Sequence, residues 1–233
     1  MSFIGEVLRD AVDYVSNSGD QLLEILALTL LVAGTATAIA AVIGIPLGVW
    51  LARARFRGRR FVLLLVNVGM GIPPVLAGLL VLLLIWGDGP LGGLDLVFTP
   101  AAMVLVQTLL ALPIAIGVTL AAVSNLGFGF HEQMRALDPP WTTRLRVTVT
   151  EARPGVLAAV SAAFGRVVSE VGAVLIVGGN IAGETRVLTT AIVQESRQAR
   201  FGAAVALGVV LLIISLLVNG VITWIQTGGD HDA

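Results

Sequence analysis

Five long stretches of this chain hold little or no charge, and each is long enough to cross a bilayer. Residues 25–52, 61–87, 96–131 and 201–229 contain no Asp, Glu or Arg. A fifth apolar stretch, 156–179, is interrupted only by Arg166 and Glu170. Spanning about 30 Å of hydrocarbon takes about 20 apolar residues in a helix. In lipid the backbone must satisfy its own polar groups, which favours helices. The alternating pattern of a membrane barrel is absent. The expected fold is therefore all-α, a polytopic membrane protein with about five transmembrane helices.

Composition agrees and narrows the function. Of 233 residues, 57% are hydrophobic and only 12% charged, against about 25% charged in a soluble domain. A net charge of -1 leaves no basic excess for a nucleic-acid partner. With no cysteine, disulfides, thiolate metal sites and iron–sulfur clusters are excluded. The only histidines, His131 and His231, lie outside the body of the spans. No haem-ligand pair or Ser/His/Asp set is available within the membrane. All fourteen cationic side chains are arginine. A phosphate-cradling G-x-x-x-x-G-K-[ST] loop needs a lysine, so any ATPase of that type must be a separate subunit. No catalytic residue, metal or cofactor is expected in the chain itself.

The arginines orient the spans. Arg53, Arg55, Arg57, Arg59 and Arg60 follow the first span, and Arg135, Arg144, Arg146 and Arg153 lie between the third and fourth. The loop after the second span carries Asp88 and Asp95 and no arginine. Positive loops stay in the cytoplasm. The expected arrangement has the N-terminus outside and the C-terminus inside. Residues 1–20 form an acidic outer segment with Glu6, Asp10, Asp13 and Asp20, the reverse of a secretory signal. A single transmembrane domain covers 21–226, with a cytoplasmic loop at 131–155 and a cytoplasmic tail at 227–233. Trp50, Trp86, Trp141 and Trp224 fall near span ends or in the loop, as interfacial anchors do.

Gly and Pro punctuate the spans at Gly44-Ile-Pro46, Gly69-Met-Gly71-Ile-Pro73-Pro74 and Pro113. Plain kinks and broken helices lining a pathway both accommodate them, with kinking favoured at the single prolines. Gly44 and Gly48 also have the spacing of a close helix contact. In the loop, Pro139 disfavours helical dihedrals at Asp138. A short helix over Glu132–Leu137 is expected to stop there. A second is expected from Pro139 to Val149, with Asp138 as its N-cap. The pair would dock on another protein or rest on lipid headgroups.

Arg166 and Glu170 stand four residues apart, on one face of an expected helix. An intramembrane charge costs about 2.5–3.5 kcal/mol, so the two are expected to pair. Their role is either a structural ion pair or a gate element. Residues 178–190 hold small polar groups and Arg186, suited to a tetrahedral dianion or to an ordinary turn.

The loop resembles the coupling loop of ABC importer permeases, whose pattern is E-A-A-x-x-x-G. Glu132-Gln133-Met134 stand at the E-A-A place and Asp138 at the glycine place. The run FGRVVSEVGAVLIVGGNIAGETRVLTTAIVQES over 164–196, with GMGIPPVLAGLL over 69–80, is similar to permeases of the tungstate/molybdate importer group. The similarity is closest to the tungstate-type branch. It implies a permease that translocates an oxyanion, tungstate or molybdate. The resemblance further implies a second copy of the chain, an ABC ATPase dimer that binds ATP and Mg, and an extracytoplasmic substrate-binding protein. It places ATPase coupling on Glu132, Arg135, Ala136, Asp138 and Pro139. Pathway or gate candidates are Arg166, Ser169, Glu170, Gly172, Asn180, Thr185, Arg186 and Thr189. The competing class is an ion-coupled secondary transporter or channel for a small anion. It expects inverted repeats and charged mid-membrane ion sites, and no convincing repeat is visible. A membrane anchor of a respiratory complex would need the missing histidines.

Overall fold

The computed structural model describes residues 3–227, and all regular structure among them is helical. The tail residues 228–233, with His231, lie outside the described residues, as do the first two of the acidic segment. Eleven α-helices follow in order: α1 Phe3–Asn17, α2 Gly19–Arg53, α3 Arg59–Met70, α4 Pro74–Ile85, α5 Pro100–Ser124, α6 Phe128–Ala136, α7 Trp141–Glu151, α8 Arg153–Val168, α9 Gly172–Gly178, α10 Leu188–Arg197 and α11 Phe201–Thr227.

Helices α2, α5 and α11 are each long and apolar enough to cross a membrane alone. Two bent helix pairs pass the same test of length and composition when each is counted as one span. α3 and α4 meet at 104°, and α8 and α9 at 60°. Counting each pair once gives the five spans expected from hydropathy. The first break falls at Gly71-Ile72-Pro73, where the sequence offered broken and kinked helices alike. Proline supplies no N–H and blocks helix continuation into the residue before it, so a chain turning at Pro73-Pro74 orphans few donors. Pro46 and Pro113 lie inside unbroken helices. The second break corrects an expectation. Arg166 and Glu170 do not share a continuous helix, because α8 ends at Val168.

α5 is the axis of the bundle. Thr99 caps it, its hydroxyl accepting from the Ala102 amide at 3.3 Å, and Pro100 takes the first turn. Around it Val32, Val81, Met103, Val106, Val174 and Val177 form one buried cluster. Ala33, Ala36, Ala40, Ala111, Phe164 and Val167 form a second below it. Lipid tails are as apolar as leucine, so helices associate in a membrane through close packing of small residues. The Gly44–Gly48 spacing is such a contact. A Cβ on Gly44 would lie 2.7 Å from Ala115 Cβ, and one on Gly48 2.8 Å from both Ile116 O and Thr119 Cβ.

The acidic segment has a structure of its own. α1 lies against the start of α11, with the Phe3 and Phe201 rings 6.1 Å apart edge to face. Gly202 meets the Asp10 backbone so closely that a side chain there would collide with it. At the opposite end, α6 and α7 gather beside the ends of α2 and α5. Val49, Val123, Ala152 and Val156 are buried there together, and Gln226 Nε2 of α11 donates to the Pro154 carbonyl at 3.2 Å.

Gly48→Leu is expected to push α2 off α5. Overpacking of this kind costs about 1–3 kcal/mol. Thermal unfolding of detergent-purified protein should show a clear loss, while Gly34→Leu, with open space at its Cβ position, should unfold close to wild type.

Candidate functional site

The candidate residues fall into three groups along the bundle. The first is the loop group. α6 runs from Phe128 to Ala136, starting earlier than the expected Glu132, and it stops before Asp138 as Pro139 requires. The second loop helix begins at Trp141 with Pro140 at the capping position, so Asp138 and Pro139 are not its cap and first residue. The prolines at 139 and 140 carry no amide, and no side chain caps the start of α7. Asp138 instead adopts φ 36° and pairs with Arg144, whose Nη2 lies 2.6 Å from its Oδ1. A positive φ at this position suits a glycine, and Asp is among the few other residues that tolerate it. Glu132, Arg135 and Ala136 are exposed on α6, and Pro139 is half-buried. Met134 packs inward at 7% exposure.

His131 sits at the inner edge of this loop. Burial first, then the guanidinium groups of Arg53 and Arg135, push its imidazole below the usual value, against a hydrogen bond with the Leu126 backbone. The shift favours the uncharged imidazole, and the cations beside it are arginines.

The second group is the α8–α9 break. Arg166 Nη1 and Glu170 Oε2 are 3.2 Å apart, and the Glu170 side chain is 5% exposed. Glu170 Oε1 accepts from the Ala173 amide at 3.1 Å. The carboxylate thus fills the start of α9, where free amides would otherwise attract an anion. Thr189 Oγ1 donates to the Glu170 carbonyl at 2.9 Å. Ser169, exposed, donates to the Gly165 carbonyl at 2.8 Å. Gly172 is packed against Val75 of α4, whose Cγ2 would lie 2.7 Å from an added Cβ.

The sequence reading missed Gln107, which completes this group. It is buried at 4% exposure, and its Nε2 donates to the Val167 carbonyl at 3.3 Å. Its Oε1 has no protein partner. The available signal was a side-chain amide well inside the long apolar stretch 96–131, since polar side chains there act between helices. Thr29 was also missed. Its hydroxyl accepts from the Leu188 amide at 3.0 Å, so α2 caps the start of α10.

The third group is the 179–187 turn. Gly179 and Asn180 both have positive φ. The Thr185 hydroxyl donates to the Gly178 carbonyl and accepts from the Ile181 amide. Asn180 Nδ2 donates to Gln194 Oε1. Arg186 Nε is buried without a partner. Thr185 thus spends its donor on the turn itself, and Asn180 ties the turn to α10. The structure brings Arg166, Ser169, Glu170, Gly172 and Thr189 together and leaves Asn180, Thr185 and Arg186 one helix away. No group of three or more metal-ligating side chains occurs among the described residues.

These features agree with the comparisons. A family model described as the binding-protein-dependent transport system inner membrane component matches residues 44–228. The chain is 42% identical over 203 residues to a probable anion ABC transporter permease protein of Haloferax volcanii, covering 85% of this chain and 88% of that one. It is 37% identical over 226 residues to the tungstate uptake system permease protein TupB of Peptoclostridium acidaminophilum, covering 97% of this chain and 99% of that one. A solved chain of the MetNI methionine ABC transporter, in an inward-facing conformation, superposes with a TM-score of 0.71 over 89% of this chain and 95% of that one. At 22% identity that likeness concerns the fold alone.

Replacing Arg166 by Met strands a buried carboxylate. Breaking a fully buried pair costs about 3–5 kcal/mol, and the 30% exposure of Arg166 places the expected loss below that range. The double variant Arg166→Met, Glu170→Gln removes the stranded charge and keeps an acceptor for the Ala173 amide. It should regain most of the lost stability in thermal unfolding; equal losses in both variants would argue against an energetically coupled pair. The family match over 44–228, on a helical membrane fold of this kind, makes the chain a member of the binding-protein-dependent inner membrane components, the permease subunits of ABC importers.

Proposed function

We propose that this permease moves a tetrahedral oxyanion of the tungstate/molybdate class, delivered by an external binding protein and driven by a separate ATPase dimer. The carrying observation is similarity along nearly the whole chain to a tungstate uptake permease. The likeness to an anion transporter permease supports it. The absence of lysine from the sequence, and hence of a phosphate-loop motif, puts ATP hydrolysis in the partner.

The arginine-rich end, with α6 and α7, faces the cytoplasm, which places the N-terminus outside and the C-terminus inside. Two copies of the chain form the pathway. Their contact surface is drawn from the exposed leucines of the bent helices, such as Leu76, Leu79 and Leu83 on α4. Glu132 and Ala136 present the outer face of α6 to the ATPase, Arg135 stands at the edge of that face, and the Asp138–Pro139 turn sets the angle to α7. Closure of the ATPases would reach the spans through α8, which starts two residues after α7 ends. The α8–α9 break is the element that moves. Glu170, Gln107 and Thr189 hold it closed by satisfying its backbone, and a filled amide cradle offers a passing dianion no tight site. Weak binding suits a pathway that must release its cargo.

The test is uptake into membrane vesicles containing the permease, its ATPase and its binding protein. Tungstate and molybdate uptake should need ATP and the ATPase, and should exceed sulfate uptake. Uptake by the permease alone, driven by an ion gradient, would instead indicate a secondary transporter. In the assembled complex Glu132→Ala should lower substrate-stimulated ATP hydrolysis several-fold while membrane insertion stays normal; an unchanged rate would remove α6 from the coupling path.

A further inference from the structure

The arginine-rich end contains a pocket of about 690 Å³ beneath the loop helices. It lies between the end of α2, the 54–58 link, the end of α5 and the inner side of α6 and α7. Arg53, Arg55, Arg59, Arg135 and Arg144 line it. The one carboxylate in the lining, Asp138, is already paired with Arg144. The arginines thus give the lining an excess of four positive charges, with His131 shifted toward its uncharged form.

Like charges gathered in one pocket repel, and burial makes the repulsion stronger. The donors are also unmatched. Arg53 Nε and Nη2 are buried with no protein partner, and so is Arg144 Nε. The Arg53 guanidinium stands 5.5 Å from the Phe130 ring centroid, behind the loop rather than on its outer face. Guanidinium forks match the oxygens of a phosphate group in spacing and charge. The level in the membrane points the same way. Trp50, one turn before Arg53, is exposed and stacked on Phe56 at 5.4 Å, as aromatic residues at headgroup depth are. Basic pockets between spans on the cytoplasmic side take anionic headgroups.

We propose that this pocket binds a tetrahedral phosphate-type oxyanion, held by Arg53 and Arg144 with Arg55, Arg59 and Arg135 around it. The group comes either from the headgroup of an anionic phospholipid in the adjoining leaflet or from free oxyanion in the aqueous phase. The bound anion neutralises the pocket and ties the end of α2 to the loop helices α6 and α7.

The experiment is thermal unfolding of the full chain in phosphatidylcholine nanodiscs, with and without phosphatidylglycerol. A parallel series adds inorganic phosphate, matched in ionic strength with chloride. Binding should raise the unfolding temperature by a few degrees. The rise should be lost in Arg53→Gln, Arg144→Gln and kept in Arg57→Gln, which removes the same kind of charge outside the pocket lining. Should the double variant fail to fold, Arg55→Gln, at an exposed position, should still reduce the rise. A rise with phosphatidylglycerol alone assigns the headgroup, and a rise with phosphate in phosphatidylcholine assigns the free anion. No rise in either series, or an equal rise in all variants, overturns the proposal and leaves the pocket as a seat for a partner protein's carboxylates. Transport is not measured, so failure here leaves the substrate reading untouched, and the reverse holds too.

Discussion

Water is missing where this chain breaks its helices, and most of the architecture answers that constraint. A helix interrupted in hydrocarbon frees amides and carbonyls that nothing outside the protein can satisfy. The two breaks solve the problem differently. At Gly71–Pro73 the solution is local. The Gly71 amide still reaches the Val68 carbonyl at 3.0 Å, and the two prolines bring no amide to satisfy. At the α8–α9 break the solution is distant. The Val167 carbonyl takes its partner from Gln107 on α5, and the Glu170 carbonyl takes one from Thr189 on α10. A break held by side chains from two other helices can respond to both.

The packing follows from the same solvent. Helices gain little by hiding leucine from lipid, so the buried faces here are rich in Ala, Gly, Val and Thr. Many leucines and phenylalanines stay on the outside, while Leu110, Leu188, Leu207 and Phe164 are buried. Leu64, Leu83, Leu212 and Leu216 are all more than half exposed, which in water would mark an aggregating surface and in a bilayer marks the contact with lipid or a second copy. α5 occupies the centre because small residues on several of its faces admit α2, α4, α8 and α9 together.

Charge is separated along the bundle. One end concentrates guanidinium groups under a helical loop, and the middle keeps a single paired Arg166 and Glu170. The cost of placing charge in hydrocarbon accounts for both: cations gather where they stay out of lipid, and the charge that remains inside is paired.

The apolar segments and the arginine-rich end were legible in the sequence, because hydrocarbon thickness and the cost of burying charge act on residues wherever they pack. The Gly71-Ile-Pro-Pro break was half legible, since proline acts on its own neighbours. The loop turn at Asp138 was placed correctly, but its geometry was not. Two successive prolines moved the start of α7 to Trp141, and Asp138 turned to Arg144. The α8–α9 break was hidden. Arg166 and Glu170 have helical spacing, and what stabilises the interruption is Gln107, sixty residues from Val167. The sequence thus determined which segments must lie in lipid and which end is positive, because those depend on composition alone. Only the tertiary structure decided where a span could stop being a helix, because that depends on which distant side chain arrives to replace water.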